Sequence, residues 1–130
     1  MYYDKAIETM KKEDLKKLQL ERLQKTVHAA YQSAFYKKRF DSIGLKPEDI
    51  KSLDDIHKIP FTTKDDLRAA YPDLMLAVPK NQPVRIHSSS GTTGRATVIF
   101  FTKKDIDVWA DLMGRCLYMA GMRPDDVFQN

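Results

Sequence analysis

Seven consecutive positions, Ser88-Ser89-Ser90-Gly91-Thr92-Thr93-Gly94, hold five hydroxyl residues and two glycines, and Arg95 follows them. Serine and threonine hydroxyls are rotatable donors, and glycine lets the backbone turn and approach a ligand closely. Clustered N–H and O–H donors suit an anion, most often a phosphate. The spacing excludes two better-known phosphate loops. A Walker A motif needs Gly, four residues, then Gly-Lys-Ser/Thr opening a helix; here two residues separate Gly91 from Gly94 and β-type sequence follows. The Gly-x-Gly-x-x-Gly dinucleotide turn is also absent. The alternative is a Ser/Gly hairpin loop without a ligand, against which the length and uniformity of the run argue.

Two segments rich in β-branched and aromatic residues must position this loop: Val84-Arg85-Ile86-His87 before it and Ala96-Thr97-Val98-Ile99-Phe100-Phe101 after it. The pattern predicts strand–loop–strand, then a helix capped by Thr102 with Asp105 in the capping-box position. Ile106, Trp109, Leu112, Met113, Cys116, Leu117 and Ala120 give that helix a wide apolar stripe, and Gly121 is a suitable stop. Another strand is expected to open at Asp125-Asp126-Val127-Phe128.

Before residue 80 the texture is helical. Leu20, Leu23, Val27, Ala30, Tyr31 and Ala34 recur at three- and four-residue steps and predict one long helix from about Glu13 to Ala34. A short helix carrying Phe35, Tyr36 and Phe40 is expected to end near Gly44. Pro47, Ser52 with Asp55, and Thr63 with Asp66 mark three short helix starts, and Tyr71-Pro72 ends the last. Leu74 to Val78 reads equally as strand or helix. The fold class expected is α/β: a helical region over residues 1–80, then the start of an α/β domain over residues 81–130. The strand opening so near Asn130 suggests a piece of a longer enzyme.

A chain of 130 residues, 42% apolar and 31% charged, is long enough for a packed core and too apolar to be disordered. The net charge of +4 fits an anionic ligand, and the lysines are interleaved with acidic residues as on a solvated helix face. A basic nucleic-acid-binding module is the reading from another class, disfavoured by that interleaving and by the lack of an RNA-binding aromatic signature. No apolar run spans a bilayer, no signal peptide opens the chain, and the single cysteine cannot form an internal disulfide, so cytoplasm is the expected compartment. His28, His57 and His87 lack metal-ligand spacing. His28 and His57 read as structural or surface residues; His87 reads as strand packing or as a contact to phosphate or adenine. Cys116 reads as a buried small hydrophobe. Trp109, Met113 and Met119 read as core or domain-interface residues, and Tyr31, Phe35 and Tyr36 as a packing cluster that alternatively borders a substrate or dimer contact.

The order Ser-Ser-Ser-Gly-Thr-Thr-Gly resembles the phosphate-binding signature of the adenylate-forming superfamily. Met1-Tyr2-Tyr3, Leu18 to Leu23, Lys58 to Arg68, Tyr71-Pro72, Ala77-Val78-Pro79, Val84 to His87 and Asp126 to Asn130 are similar to the N-terminal region of phenylacetate–CoA ligases. Two positions depart from the superfamily signature: Ala96 replaces the usual proline and Thr97 the usual lysine, the second being normal for the phenylacetate branch. The resemblance implies adenylation of an arylacetic acid by ATP, then thioester formation with coenzyme A, assisted by magnesium. It assigns Ser88, Ser89, Ser90, Gly91, Thr92, Thr93 and Gly94 to the ATP phosphates; Arg95 either joins them or faces solvent. His87 and Thr97 are further candidates. No catalytic residue and no metal ligand is expected in this stretch, and residues 1–130 alone are expected to be inactive. The partners implied are ATP, an aryl carboxylic acid and CoA, with neither membrane nor nucleic acid, and a homodimer is an open option. An adenylyltransferase that does not pass the acid to CoA is the second enzymatic reading.

Overall fold

The computed structural model describes residues 2–90, 96–127 and 129. It is a mixed helix and strand structure: helices α1 (Lys5–Glu8), α2 (Lys12–Tyr31), α3 (Ala34–Ser42), α4 (Lys64–Ala69) and α5 (Lys103–Met119), with strands β1 (Pro83–Ser88) and β2 (Val98–Thr102). Two short 3-10 turns, Pro47–Asp49 and Leu53–Lys58, lie between α3 and α4.

The expected single helix from Glu13 to Ala34 is two helices. It breaks after Tyr31 because the Ser33 side chain caps α3: Ser33 Oγ accepts the Tyr36 N–H at 3.3 Å and donates to the Ala30 carbonyl at 2.8 Å. A serine that serves both helix ends stops the first and starts the second without Gly or Pro. The chain then leaves α3 through Gly44, at φ +69°, where alanine would be strained. The Gly44 N–H bonds to Asp41 and the Leu45 N–H to Phe40, a Schellman ending. This turn folds Leu45 and Ile50 back against α2, closing a core of Val27, Phe40, Leu45 and Ile50 with Leu23, Tyr31, Tyr36 and Ile59 around it. Gln24 fixes the return by donating to the Ile50 carbonyl at 2.8 Å. Tyr31, Phe35 and Tyr36 are packing residues: Tyr31 stacks on Phe40, and Tyr36 meets both Phe35 and Phe40.

The start signals at Thr63 and Thr102 are borne out as reciprocal caps. Asp66 Oδ2 accepts the Thr63 N–H at 2.8 Å, and Asp105 Oδ2 the Thr102 N–H at 2.8 Å, while each threonine hydroxyl accepts from its aspartate's N–H. Asp55 likewise accepts the Ser52 N–H at 2.7 Å. Leu74 and Met75 lie in a turn and Leu76 to Val78 are irregular, so the segment is neither strand nor helix. The strand expected at Asp125-Asp126-Val127 is not formed; Phe128 lies outside the described residues. Asp126 instead closes a turn, its carboxylate accepting the Arg123 N–H at 2.6 Å and its N–H bonding to the Arg123 carbonyl.

Asp66 also holds Arg39 of α3 at 2.9 Å, tying α3 to α4. The Thr63 N–H, the Arg39 guanidinium and the Thr63 hydroxyl pull its carboxyl down to about 2. A carboxylate with a depressed folded pKa stabilises the fold above its unfolded value, about 3.9, and that contribution is lost as pH falls from there through about 2. Replacing Asp66→Asn should therefore lower the urea midpoint at pH 7 and narrow its difference from the wild type between pH 4 and pH 2; a difference constant over that range would refute the assignment.

Candidate phosphate-binding loop

β1 and β2 pair antiparallel, with Arg85 opposite Phe101, Ile86 opposite Phe100, His87 opposite Ile99 and Ser88 opposite Val98. Opposite residues share a face, so Arg85, His87, Ile99 and Phe101 line one side and Ile86, Ser88, Val98 and Phe100 the other. Trp109 of α5 stacks on Phe101 at 5.4 Å, and the His87 ring lies 5.1 Å from each of them. His87 is thus placed in an aromatic trio against α5, its strand-packing reading.

Beyond Ser88 the ladder closes with one further reciprocal pair. The Ser89 N–H donates to the Thr97 carbonyl at 3.0 Å, and the Thr97 N–H donates to Ser89 Oγ at 3.0 Å. The serine side chain here takes the place of a backbone acceptor. Thr97 is buried, whereas Ser88, Ser89 and Ser90 are exposed. The hydroxyl of Ser89 is used as an acceptor in this bond, which leaves its own hydrogen to donate outward. The loop therefore springs from a neck at Ser89 and Thr97, and its span beyond the neck runs from Ser90 to Ala96. Gly91, Thr92, Thr93, Gly94 and Arg95 lie outside the described residues. Of the residues picked out from sequence, the structure brings Ser88, Ser89 and Thr97 together at the neck.

β2 runs from the neck to Thr102, and α5 begins at its far end. Five strand residues cover about 17 Å at the usual rise, so the N-terminus of α5 is not at the loop. That helix N-terminus is therefore not available at the neck, unlike at a P-loop. Among the described residues no group of His, Cys, Asp and Glu could hold a metal ion. His28 and His57 lie in the helical region, where His57 Nδ1 meets the Asp54 carbonyl. Cys116, expected to be buried, is exposed, because no described part of the chain covers its side of α5. The reciprocal Ser89–Thr97 bond escaped sequence reading; its signal is a serine one residue past a strand end.

No protein-family model matches the chain. The solved structure of an open conformation of 2-hydroxyisobutyryl-CoA ligase, in complex with 2-HIB-AMP and CoA, superposes with a TM-score of 0.78 at 30% identity, covering 91% of this chain and 26% of that one. The fold is thus that of part of an acid–CoA ligase. Within that class, the chain is similar to phenylacetate-coenzyme A ligases. It is 48% identical to that of Aromatoleum evansii over 93% of its length, 47% identical to that of Escherichia coli over 92%, and 42% identical to that of Thermus thermophilus over 100%. The chain spans 28–29% of the length of these curated relatives.

Replacing Ser89→Ala removes the acceptor of the Thr97 N–H at a buried position, at a cost of about 1–3 kcal/mol. The expected result is faster amide exchange at Thr97 and a lower denaturation midpoint. Ser90→Ala, at an exposed position, should change stability by no more than about 0.5 kcal/mol. Equal effects of the two substitutions would contradict the neck.

Proposed function

We propose that the protein carrying this chain is an ATP-dependent phenylacetate–CoA ligase, and that residues 81–130 begin its adenylation domain while residues 1–80 form a helical region before it. The observation that carries this reading is the 48% identity to a phenylacetate-coenzyme A ligase over 93% of the chain, a span long enough to include residues 88–95 wherever it begins. In the first step a carboxylate oxygen attacks the α-phosphate of ATP, forming an acyl-adenylate and releasing pyrophosphate. In the second the thiol of CoA attacks the acyl carbon, its proton is lost, and AMP leaves with the bonding electrons.

The difficulty of the first step is charge: an anion approaches a polyanion, and a second polyanion departs. Preorganised donors lower that barrier most effectively. Ser88, Ser89 and Ser90, with Gly91, Thr92, Thr93, Gly94 and Arg95, are proposed to hold the β- and γ-phosphates. Their proposed role is positioning rather than acid–base catalysis. Rotatable hydroxyls suit a loop that must grip ATP and later release pyrophosphate. The fixed neck is what this role requires, because donors hinged on a mobile stem lose entropy on binding. Magnesium would neutralise phosphate charge when bound with ATP; among the described residues no group of three or more His, Cys, Asp and Glu is placed to hold a metal ion. Among the described residues no helix is long and apolar enough to cross a membrane, and cytoplasm is the proposed compartment.

The competing reading is an adenylyltransferase that stops at the acyl-adenylate. The CoA in the similar solved ligase favours transfer to the thiol. With phenylacetate, ATP and CoA, the complete protein should yield phenylacetyl-CoA, AMP and pyrophosphate. Accumulation of adenylate without thioester would select the adenylyltransferase, and silence across a panel of aryl acids by well-folded protein would sink both. Residues 1–130 alone should give no thioester in the same assay.

A further inference from the structure

The segment before α2 does not pack on the helical core; it crosses to the far end of the chain. Tyr3 Oη donates to Asp111 Oδ1 of α5 at 3.1 Å, across 108 residues of sequence, and its ring meets Tyr118 at 5.8 Å. Glu8 Oε1 gathers the strap, accepting the Tyr3 N–H at 3.2 Å and the Asp4 N–H at 2.9 Å while lying 3.7 Å from Arg115 Nε. The Asp111 bond raises the Tyr3 hydroxyl above the ordinary tyrosine value, which keeps it a donor.

Gly114 explains how the ring sits so close. A Cβ at this position would lie 2.9 Å from Tyr3 Oη. Glycine inside a helix is unfavourable relative to alanine, and here its missing side chain is the space Tyr3 occupies. Asp111, Gly114, Arg115 and Tyr118 stand at positions i, i+3, i+4 and i+7 and form one face of α5. Trp109, on the opposite side of the helix, carries the aromatic trio with Phe101 and His87. Helix α5 is therefore held between the strap and the hairpin whose other end is the loop neck.

We infer that Tyr3 is a positioning residue for the phosphate loop: seated on Gly114, it fixes α5 against β1 and β2 and thereby the Ser89–Thr97 neck. The consequence for ATP rests on the phosphate-binding reading of the loop; the consequence for the neck does not. The route is physical and short, from Tyr3 to α5, from Trp109 to His87 and Phe101, and along the paired strands to Ser89 and Thr97.

The decisive variant is Gly114→Ala. Alanine is the better helix former, so α5 itself is strengthened while the Tyr3 hydroxyl, 2.9 Å from the new Cβ, is forced to shift from its seat. Three readouts in the complete protein test the inference: amide exchange at Ser89 and Thr97, emission of Trp109, and the Kd for MgATP. Gly114→Ala should raise neck exchange about threefold or more by favouring local opening, shift Trp109 emission, and weaken MgATP several-fold. Tyr3→Phe, which keeps the ring and drops the Asp111 bond, should give smaller changes in the same direction, and Tyr2→Phe none. Neck exchange in Gly114→Ala equal to that of Tyr2→Phe would overturn the inference. Raised neck exchange in a protein that fails to bind MgATP even as wild type would uphold the strap and refute the phosphate-binding reading instead.

Discussion

A loop that grips phosphate with hydroxyls depends on having its ends pinned. In this chain the pin is the reciprocal pair in which the Ser89 N–H meets the Thr97 carbonyl and the Thr97 N–H meets Ser89 Oγ. Without it the last ladder pair is Ser88 with Val98, and the neck serine is free to swing. Using a side-chain oxygen in place of a carbonyl keeps the hydrogen-bonding account closed at a buried position. It also leaves the serine hydrogen available to the loop side. A buried Thr97 at one foot and exposed Ser88, Ser89 and Ser90 at the other make the neck one-sided, with hydroxyls outward and packing inward.

Two further layers support that pin. The aromatic trio of His87, Phe101 and Trp109 braces the strands from α5 through ring packing. Separately, the helical region has its own core around Phe40 and Ile50, sealed by polar locks at Gln24 and Arg39. A cleft lined by Ala29, Ala70, Leu76, Val98 and Phe100 lies where the helical region faces β2. The strap through Tyr3 and Glu8 links the chain's beginning to α5, away from the covalent connection near residue 80.

What was legible in the sequence was local. The Thr63–Asp66 and Thr102–Asp105 caps span three residues, and their chemistry is complete within the segment that displays it. The strand–loop–strand pattern was legible for the same reason, since β-branched runs flank a glycine- and hydroxyl-rich interval. The break at Ser33 was missed because the apolar period continues across it, and one serine with two hydrogen bonds outweighs that period. Cys116 on the α5 stripe was read as buried, yet periodicity reports only that a face is apolar, not what covers it; Cys116 and Leu112 are exposed. The Tyr3 clasp, 108 residues apart in sequence, leaves no local pattern beyond an unexpected glycine in a helix. In the loop itself, residue order carried the resemblance, whereas geometry supports only the neck at Ser88, Ser89 and Thr97.

The central claim is that this loop holds the outer phosphates of ATP. The most direct measurement is the affinity of the complete protein for ATP and for AMP, with Ser90 intact and as Ser90→Ala. A lost hydrogen bond to a charged group is worth about 1.5–3 kcal/mol, so ATP affinity should fall roughly tenfold or more while AMP affinity stays unchanged. Equal losses for ATP and AMP, or no loss for either, would contradict the account.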